Sequence, residues 1–464
     1  MADSVGPGEV AIGRDGGGEP ELARRLGLFD ATMIVMGGII GSGIFLNPAV
    51  VARRVSSPAL ILGAWAAGGA IALVGAFLYA ELAARRPKVG GQYAYLREAY
   101  HPSLAFLYGW GLLLVTQTGG MAAVAVTFAR YFRELTGLPL ADGAGAALAL
   151  ALLSLVNCLG VRAGAGVQSA LMVAKLAAIG ALVVCGLALA PAAPPSAAPA
   201  PVPSGSGWDL LTAFGSAMVP VLFAYGGWQT AAFVSTEIRE PRKNLPRGLI
   251  LGVFGVVALY LLVSEACLAV LGPAGLAATE APASEVMKAT LGPLGGRLIA
   301  AGIAISTLGF LSQSMLTAPR VYFAMARDGL FPRLLAGVHP RTRVPVAAIA
   351  LQGLCAAGIA VSGRYEQILS YVVSVDWVFF ALAAGSLFAL RRRDREAGTA
   401  EAPFVRSGHP LTTWLFLLVC VAVVANTVYK APRESAVGLG ILLAGVPVYL
   451  AWSSRRAASP PPSP

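Results

Sequence analysis

The sequence contains few charged residues for its length. Only 12% of the 464 residues are Asp, Glu, Lys or Arg, whereas a soluble protein has about 25%. No polar stretch is long enough for a mainly disordered chain, and 57% of the residues are hydrophobic. The scarcity of charge therefore excludes a soluble globular domain and predicts an integral membrane protein.

Cysteine and histidine are also scarce, with five and three residues. All five cysteines fall inside apolar runs, so no external disulfide framework is expected. The three histidines lie in separate loops, which predicts no metal site and no cofactor. The net charge of +11 comes from basic residues scattered between apolar runs, so no nucleic-acid partner is expected either.

Apolar runs long enough to span a bilayer recur along the chain. A hydrocarbon core about 30 Å thick needs roughly 20 helical residues. Twelve runs meet this need, at 28–50, 57–83, 104–130, 143–160, 167–190, 208–236, 247–271, 296–318, 345–361, 367–390, 410–428 and 436–453. Lys and Arg are concentrated in the loops on the side of both termini, which places both termini in the cytoplasm.

The spans suggest a division of the chain into six parts. We expect a first group of five helices at 28–190, a second group at 208–391, and two further helices at 392–456. The remaining segments are a disordered cytoplasmic tail at 1–27, an extracellular Pro/Ala-rich loop at 191–207, and a cytoplasmic tail at 457–464.

Glycine interrupts the first and the sixth span. Gly41, Ser42 and Gly43 lie within the first, and Gly226 and Gly227 within the sixth. Close helix packing would explain either cluster alone. However, each interrupted span begins a group of five. Because the number of spans in each group is odd, the two groups enter the membrane from opposite sides. This relation predicts an inverted repeat with broken helices, as found in secondary transporters.

The interruptions also indicate a substrate. Backbone groups freed from a helix are tolerated in lipid only where they line a polar cavity. Free N–H groups near Ser42 and Gly43 suit a carboxylate, and free carbonyls near Phe223, Ala224 and Gly226 suit an ammonium group. An α-amino acid carries both charges on one carbon atom.

Several motifs carry a family resemblance over nearly the whole chain. GSGIF in the first span, FAYGGW in the sixth, EIREPRKNLPRGL after it and LTAPRVYFAMARDGLFP after the eighth resemble the amino acid–polyamine–organocation superfamily. The most similar branch is that of the L-type amino acid transporters and bacterial serine/threonine exchangers. The resemblance implies an all-α membrane protein of twelve transmembrane helices: a LeuT-like 5+5 inverted repeat with broken helices 1 and 6, plus two C-terminal helices.

The resemblance also implies a function and a set of binding residues. The protein would be no enzyme but a transporter of neutral L-amino acids, acting by alternating access as an exchanger or with protons. Phe223 would be a gate over the substrate, although ordinary packing is an alternative. The expected substrate-binding residues are Ile40, Gly41, Ser42, Gly43, Phe223, Ala224, Gly226 and Gln229.

Lys175 lies about eight residues into the fifth span, roughly 12 Å deep. A charge at this depth is costly and indicates function, unless the side chain snorkels to the cytoplasmic surface. In sodium-independent members of the family, a lysine here takes the place of the sodium ion of sodium-coupled relatives. We therefore expect transport without sodium and a contact with a carbonyl near Gly37 or Gly38. Whether Lys175 titrates is left open.

Asp376, within the tenth span, is either a coupling or a structural carboxylate. It also bears on an alternative substrate, a cationic amino acid or polyamine, which would need an acidic residue in the pocket. A sensor without flux is a second alternative. Glu81 and Glu237 lie near arginines at the expected cytoplasmic mouth and could form a gate there.

The external loop between spans three and four, about residues 131–142, contains no cysteine. The resemblance includes animal proteins that carry one there, so no disulfide-linked heavy subunit is expected. This absence and the high Ala, Gly and Arg content suggest a bacterial protein in the cell (cytoplasmic) membrane.

Overall fold

The computed structural model describes residues 22–189, 207–362, 365–398, 408–430 and 432–457. Within these ranges the chain is helical, apart from connections and one isolated β-bridge. The α-helices are α1 (Leu28–Ile39), α2 (Gly43–Ala52), α3 (Pro58–Arg85), α4 (Gln92–Ala99), α5 (Pro102–Gly111), α6 (Gln117–Thr136), α7 (Asp142–Cys158), α8 (Val161–Val184), α9 (Gly207–Ala224), α10 (Pro241–Ala278), α11 (Pro282–Thr317), α12 (Pro319–Arg327), α13 (Val346–Ser362), α14 (Tyr365–Glu396), α15 (Leu411–Lys430) and α16 (Pro432–Ala457).

Proline and glycine set many of the helix ends. Pro58, Pro102, Pro241 and Pro282 stand in the first turn of their helices, where the missing N–H would have no intrahelical partner. Gly137 ends α6 in a left-handed conformation with φ of 71°, which glycine adopts without strain. Between such ends the apolar runs satisfy their backbone hydrogen bonds internally, as lipid requires.

Eight helices in the described part of the chain are long and apolar enough to cross a membrane, and α1 with α2 forms a ninth candidate bent by 44°. This finding confirms an all-helical, multi-pass membrane protein. The helices α7 and α13 are apolar but have only 17 residues each. The expected number of twelve spans stays a prediction, as do the six segments; most of 1–27, 191–207 and 457–464 lies outside the described residues.

Small residues allow the central helices to approach closely. The helix α10 packs along α3 and α1, and α11 packs along α8. A Cβ atom on Gly69 would lie 2.7 Å from Val257, and one on Gly252 would lie 2.6 Å from Val35. These contacts are the van der Waals packing that holds helices together in lipid.

One end of the bundle carries a network of ion pairs, which we call the charged face. It consists of Glu81 and Arg85 of α3, Arg86, Glu98 of α4, and Arg391 and Asp394 of α14. Arg85 bonds to Glu81 at 2.8 Å and to Asp394 at 2.6 Å. Partial burial acts to raise the pKa of Asp394, but hydrogen bonds from Arg86 and Arg85 lower it below its usual value. The network fastens α3 and α4 to α14.

A second cluster of polar contacts involves the segment after α9. Glu237 and Arg320 are fully buried and form a bidentate pair at 2.7 and 3.0 Å. Ser235 donates a hydrogen bond of 2.5 Å to the carbonyl of Lys88, which ties the segment to the connection between α3 and α4. Both acidic residues of the expected gate, Glu81 and Glu237, are thus bonded to arginines.

The end of the expected disordered tail is ordered. Leu26 is 1% exposed and forms a parallel β-bridge with Ile238. The N–H groups of Arg25 and Leu26 donate to the carbonyl of Glu237 at 2.9 and 3.0 Å. Arg25 and Leu26 thus pair with the backbone around Glu237, and the boundary at residue 27 stays a prediction.

We predict that Glu237→Gln destabilises the protein by about 3–5 kcal/mol, because it leaves the buried Arg320 charge without a counter-ion. The control is Glu240→Gln, since Glu240 is exposed and pairs only with the exposed Lys243; its effect should stay within about 0.5 kcal/mol. Thermal unfolding of the purified protein in detergent measures both. Equal shifts in melting temperature would contradict the prediction.

We also predict that Gly68→Ala destabilises the protein by about 1–3 kcal/mol through overpacking, because the added methyl group would overlap Val221 of α9. Gly63 lies on the same helix with no atom near its Cβ position. Gly63→Ala should therefore leave stability unchanged or raise it slightly through helix propensity. Melting temperatures in the same detergent compare the two variants. A melting temperature that falls for Gly63→Ala but not for Gly68→Ala would refute this packing.

Candidate functional site

The first interruption separates α1 from α2. Ile40 leaves the helix in an extended conformation, with φ of −78° and ψ of 97°, and α2 starts at Gly43. The N–H groups of Ser42 and Gly43 find no acceptor in the described chain. They stand at the N-terminal end of α2, where the helix dipole adds positive potential. The break therefore exposes free donors that attract an anion.

Consecutive carbonyls at the same break are all satisfied by side chains. Each donor comes from a different helix: α10, α8 or α11. The bonds are from Tyr260 to the Ile39 carbonyl at 3.2 Å, from Lys175 to that of Ile40, and from Ser306 to that of Gly41 at 2.9 Å. A row of carbonyls freed within the membrane thus costs little, because none of the three is left without a donor.

Lys175 contacts the break at a different residue from the one expected. Its Nζ donates to the carbonyl of Ile40, and not to Gly37 or Gly38. The reason is that α1 stays helical to Ile39, so the unwound stretch begins at Ile40 and not at Gly37 or Gly38. The side chain is fully buried, so it does not snorkel to the surface. It forms no ion pair with any described residue.

The second interruption follows α9. The chain turns at Tyr225–Gly227 and continues as a 3₁₀-helix over Trp228–Glu237. Gly227 has φ of 106°, in the region that favours glycine, and a Cβ atom there would collide with the carbonyl oxygen of Gly38. A Cβ atom on Gly38 would in turn lie 2.6 Å from the carbonyl oxygen of Gly227. The two interrupted helices therefore touch backbone to backbone.

Side chains also hold this second break in place. Thr230 donates to the carbonyl of Gly227 at 2.7 Å, and Gln313 of α11 donates to Thr230 at 2.6 Å. The Tyr260 hydroxyl lies 3.4 Å from the carbonyl oxygen of Ala224, in addition to its contact with Ile39. Tyr260 thus stands between the two breaks and can donate its single proton to either.

A cavity of about 320 Å³ lies between the two interruptions. Its size suits a small ligand. Eight of the residues expected from the sequence line it: Gly41, Ser42, Gly43, Phe223, Ala224, Gly226, Gln229 and Asp376. Ile40 and Lys175 are not among the lining residues, because the Ile40 side chain is buried in the core and its carbonyl is bonded to Lys175 behind the break.

The cavity extends away from the charged face. Its lining includes Asn47 and Thr127, which lie near the middle of α2 and α6. Since α3 begins beside the end of α2 and ends at the charged face, α2 lies on the side of the first break that is away from the charged face. Phe223 lines the cavity and is 40% exposed. Gln229 also lines it, and its Oε1 accepts a bond of 3.1 Å from the Gly227 N–H.

The wall formed by α6 and α14 differs from the wall formed by the breaks. A π-helical turn at Leu112–Thr116 interrupts the long helix from α5 to α6, and such turns are frequent at functional sites. Thr116 and Gln117 line the cavity there, on the same wall as Asp376. Trp377, next to Asp376, lines the same wall.

Several polar residues of this site were not predicted. They are single donors on otherwise apolar helices: Thr116, Tyr260, Ser306 and Gln313. In the sequence, each of them is a single polar residue within an apolar run. Many residues that only pack against neighbouring helices have the same appearance. Only the fold shows that these four meet the cavity or the breaks.

Comparison with known proteins gives matches over most of the chain. The family model for amino acid permeases matches residues 26–452. The human large neutral amino acids transporter small subunit 2 is 30% identical over 456 residues, covering 94% of this chain and 81% of that protein. The serine/threonine exchanger SteT of Bacillus subtilis (strain 168) is 29% identical over 459 residues, covering 94% and 98%.

A third relative, the human b(0,+)-type amino acid transporter 1, is 29% identical over 390 residues, covering 81% of this chain and 77% of that protein. These relatives share the branch to which the sequence motifs pointed. The chain therefore belongs to the amino acid permease family, within the amino acid–polyamine–organocation superfamily.

Proposed function

We propose that this protein is a sodium-independent secondary transporter of neutral L-amino acids, which works by alternating access as an exchanger or with protons. The observation that carries the proposal is the cavity between two helix breaks, one with free N–H groups and one with carbonyls. The names of the relatives, a neutral amino acid transporter and a serine/threonine exchanger, support the same class.

In this proposal the backbone binds both charges of the substrate. The carboxylate accepts hydrogen bonds from the N–H groups of Ser42 and Gly43. The ammonium group donates to carbonyls at Phe223, Ala224 and Gly226. The Phe223 carbonyl already accepts from the Gly226 N–H at 3.1 Å, but a carbonyl oxygen has two lone pairs and can accept a second donor.

Lys175 supplies a fixed cation at the first break. Its ammonium and the Ser306 hydroxyl hold the adjacent carbonyls of Ile40 and Gly41, so these oxygens have donors without a metal ion. This supports transport that needs no sodium. The arrangement fits exchange and proton coupling equally.

The proposal places the protein in the cell membrane as twelve spans of a 5+5 inverted repeat with two further helices. The charged face is cytoplasmic, as are both termini, and the cavity opens to the outside with Phe223 as its gate. The connection between α6 and α7 covers only residues 137–141 and contains no cysteine. We therefore propose no disulfide-linked heavy subunit.

A transporter predicts flux, whereas a sensor of the same fold predicts binding alone. Liposomes that contain the purified protein and are loaded with unlabelled serine should take up labelled serine from outside to saturation. If serine is not a substrate, another neutral amino acid is loaded and labelled in the same way. The rate should be equal with and without sodium. Protein-free liposomes are the control. Binding without uptake for every neutral amino acid would favour the sensor.

The same assay tests the two-ended contact. An amino alcohol lacks the carboxylate and an N-acetyl amino acid lacks the ammonium group, so each should compete at least about tenfold more weakly than the parent compound. Competition by either analogue at the strength of the parent would contradict binding at both breaks.

We predict that Lys175→Met lowers uptake at least about tenfold, because it removes the donor to the Ile40 carbonyl and leaves that group unpaired in a buried site. The matched control is Lys288→Met, since Lys288 is exposed and pairs only with the exposed Glu285; its uptake should be unchanged. Monodisperse elution in detergent checks the fold of each variant. Wild-type uptake by folded Lys175→Met protein would show that the fixed cation is dispensable.

A further inference from the structure

We infer that Asp376 selects the side chain of the substrate and extends the transported class to L-amino acids with a positively charged side chain. The inference rests on the proposed function, because it concerns the side chain of an amino acid bound at the same two breaks.

Asp376 is the one charged residue among the described residues that line the cavity. Its neighbours on the wall are polar or aromatic, including Thr116, Gln117, Trp377 and Phe380. Lys175, the other charged group deep in the bundle, lies behind the first break and is bonded to the backbone. The cavity therefore presents a single carboxyl group, and no basic side chain, to its contents.

The carboxylate of Asp376 differs from the other carboxylates in the interior. Glu81 and Glu237, which are fully buried, are each bonded to arginine. Asp376 is half-buried, shares the cavity wall with the neutral Thr116, and forms no ion pair with any described Lys, Arg or His. A carboxylate removed from bulk water without a cation is unfavourable, and a cationic ligand group would supply the missing partner.

The position of Asp376 suits the far end of a substrate. It lies on α14, which packs against α6 and the π-helical turn, whereas the groups that would bind the amino and carboxyl ends lie on α1–α2 and α9. A side chain that leaves the α-carbon toward the other wall therefore reaches Asp376. Trp377 and Phe380 line the cavity beside it and offer ring faces that also attract cations.

The test compares arginine with citrulline, which has nearly the same shape but a neutral ureido end. Both compete for uptake of labelled alanine into liposomes. In the wild type, arginine should inhibit at a concentration at least about tenfold lower than citrulline, as expected for a charge-assisted hydrogen bond. Asp376→Asn should remove this preference, so that arginine and citrulline inhibit alanine uptake at similar concentrations. Glu285→Gln, an exposed carboxylate outside the cavity, is the control and should keep the preference.

The outcomes separate this inference from the proposed function. Alanine uptake with equal inhibition by arginine and citrulline would overturn the role of Asp376 and leave the transporter intact. No uptake of any amino acid would overturn the proposed function, and this inference with it. If folded Asp376→Asn protein loses alanine uptake as well, Asp376 acts in coupling or structure, and its role as a selector is refuted.

A second measurement keeps the test decisive if the variant does not fold. The melting temperature of the wild-type protein in detergent is followed at increasing concentrations of arginine and of citrulline. Arginine should raise it at a concentration at least about tenfold lower. Equal effects of the two ligands would refute the inference without any substitution.

Discussion

Everything in this site depends on the cost of an unpaired backbone group in lipid. A broken helix frees both N–H and C=O groups, and each unsatisfied group costs several kcal/mol in hydrocarbon. The fold provides hydrogen-bond partners for the carbonyls of the first break but not for its N–H groups. The carbonyls of Ile39, Ile40 and Gly41 receive donors from three other helices, while the N–H groups at the start of α2 face the cavity. The break is therefore stable and still able to bind.

The same asymmetry links stability to recognition. The carbonyls of the first break are already held in place by side chains of α8, α10 and α11, so binding an anion at α2 requires little rearrangement. The contact of Gly38 with Gly227 fixes the second break against the first. The distance between the two ends of the site is then set by backbone geometry, which suits the part of an amino acid that all amino acids share.

The sequence predicted the features that depend on local interactions of the chain. Long apolar runs identify helices because lipid leaves the backbone no other partner, and Gly227 marks the second break because its φ of 106° and its contact with Gly38 exclude a side chain. The partner of Lys175 could not be located to the residue, since it depends on where α1 stops winding. Tyr260 and Ser306 could not be found, because a single polar residue in an apolar helix has the same appearance whether it packs or binds.

The pair of Glu237 and Arg320 has a consequence for leakage. Both ions are fully buried, so any motion that parts them must rehydrate two charges at once. A partly separated pair keeps the cost of dehydration and loses the attraction, so it is less stable than either the intact pair or two hydrated ions. In the alternating-access transporter proposed above, this cost opposes partial movements, so the pair would act against leakage of solutes that do not trigger the full movement.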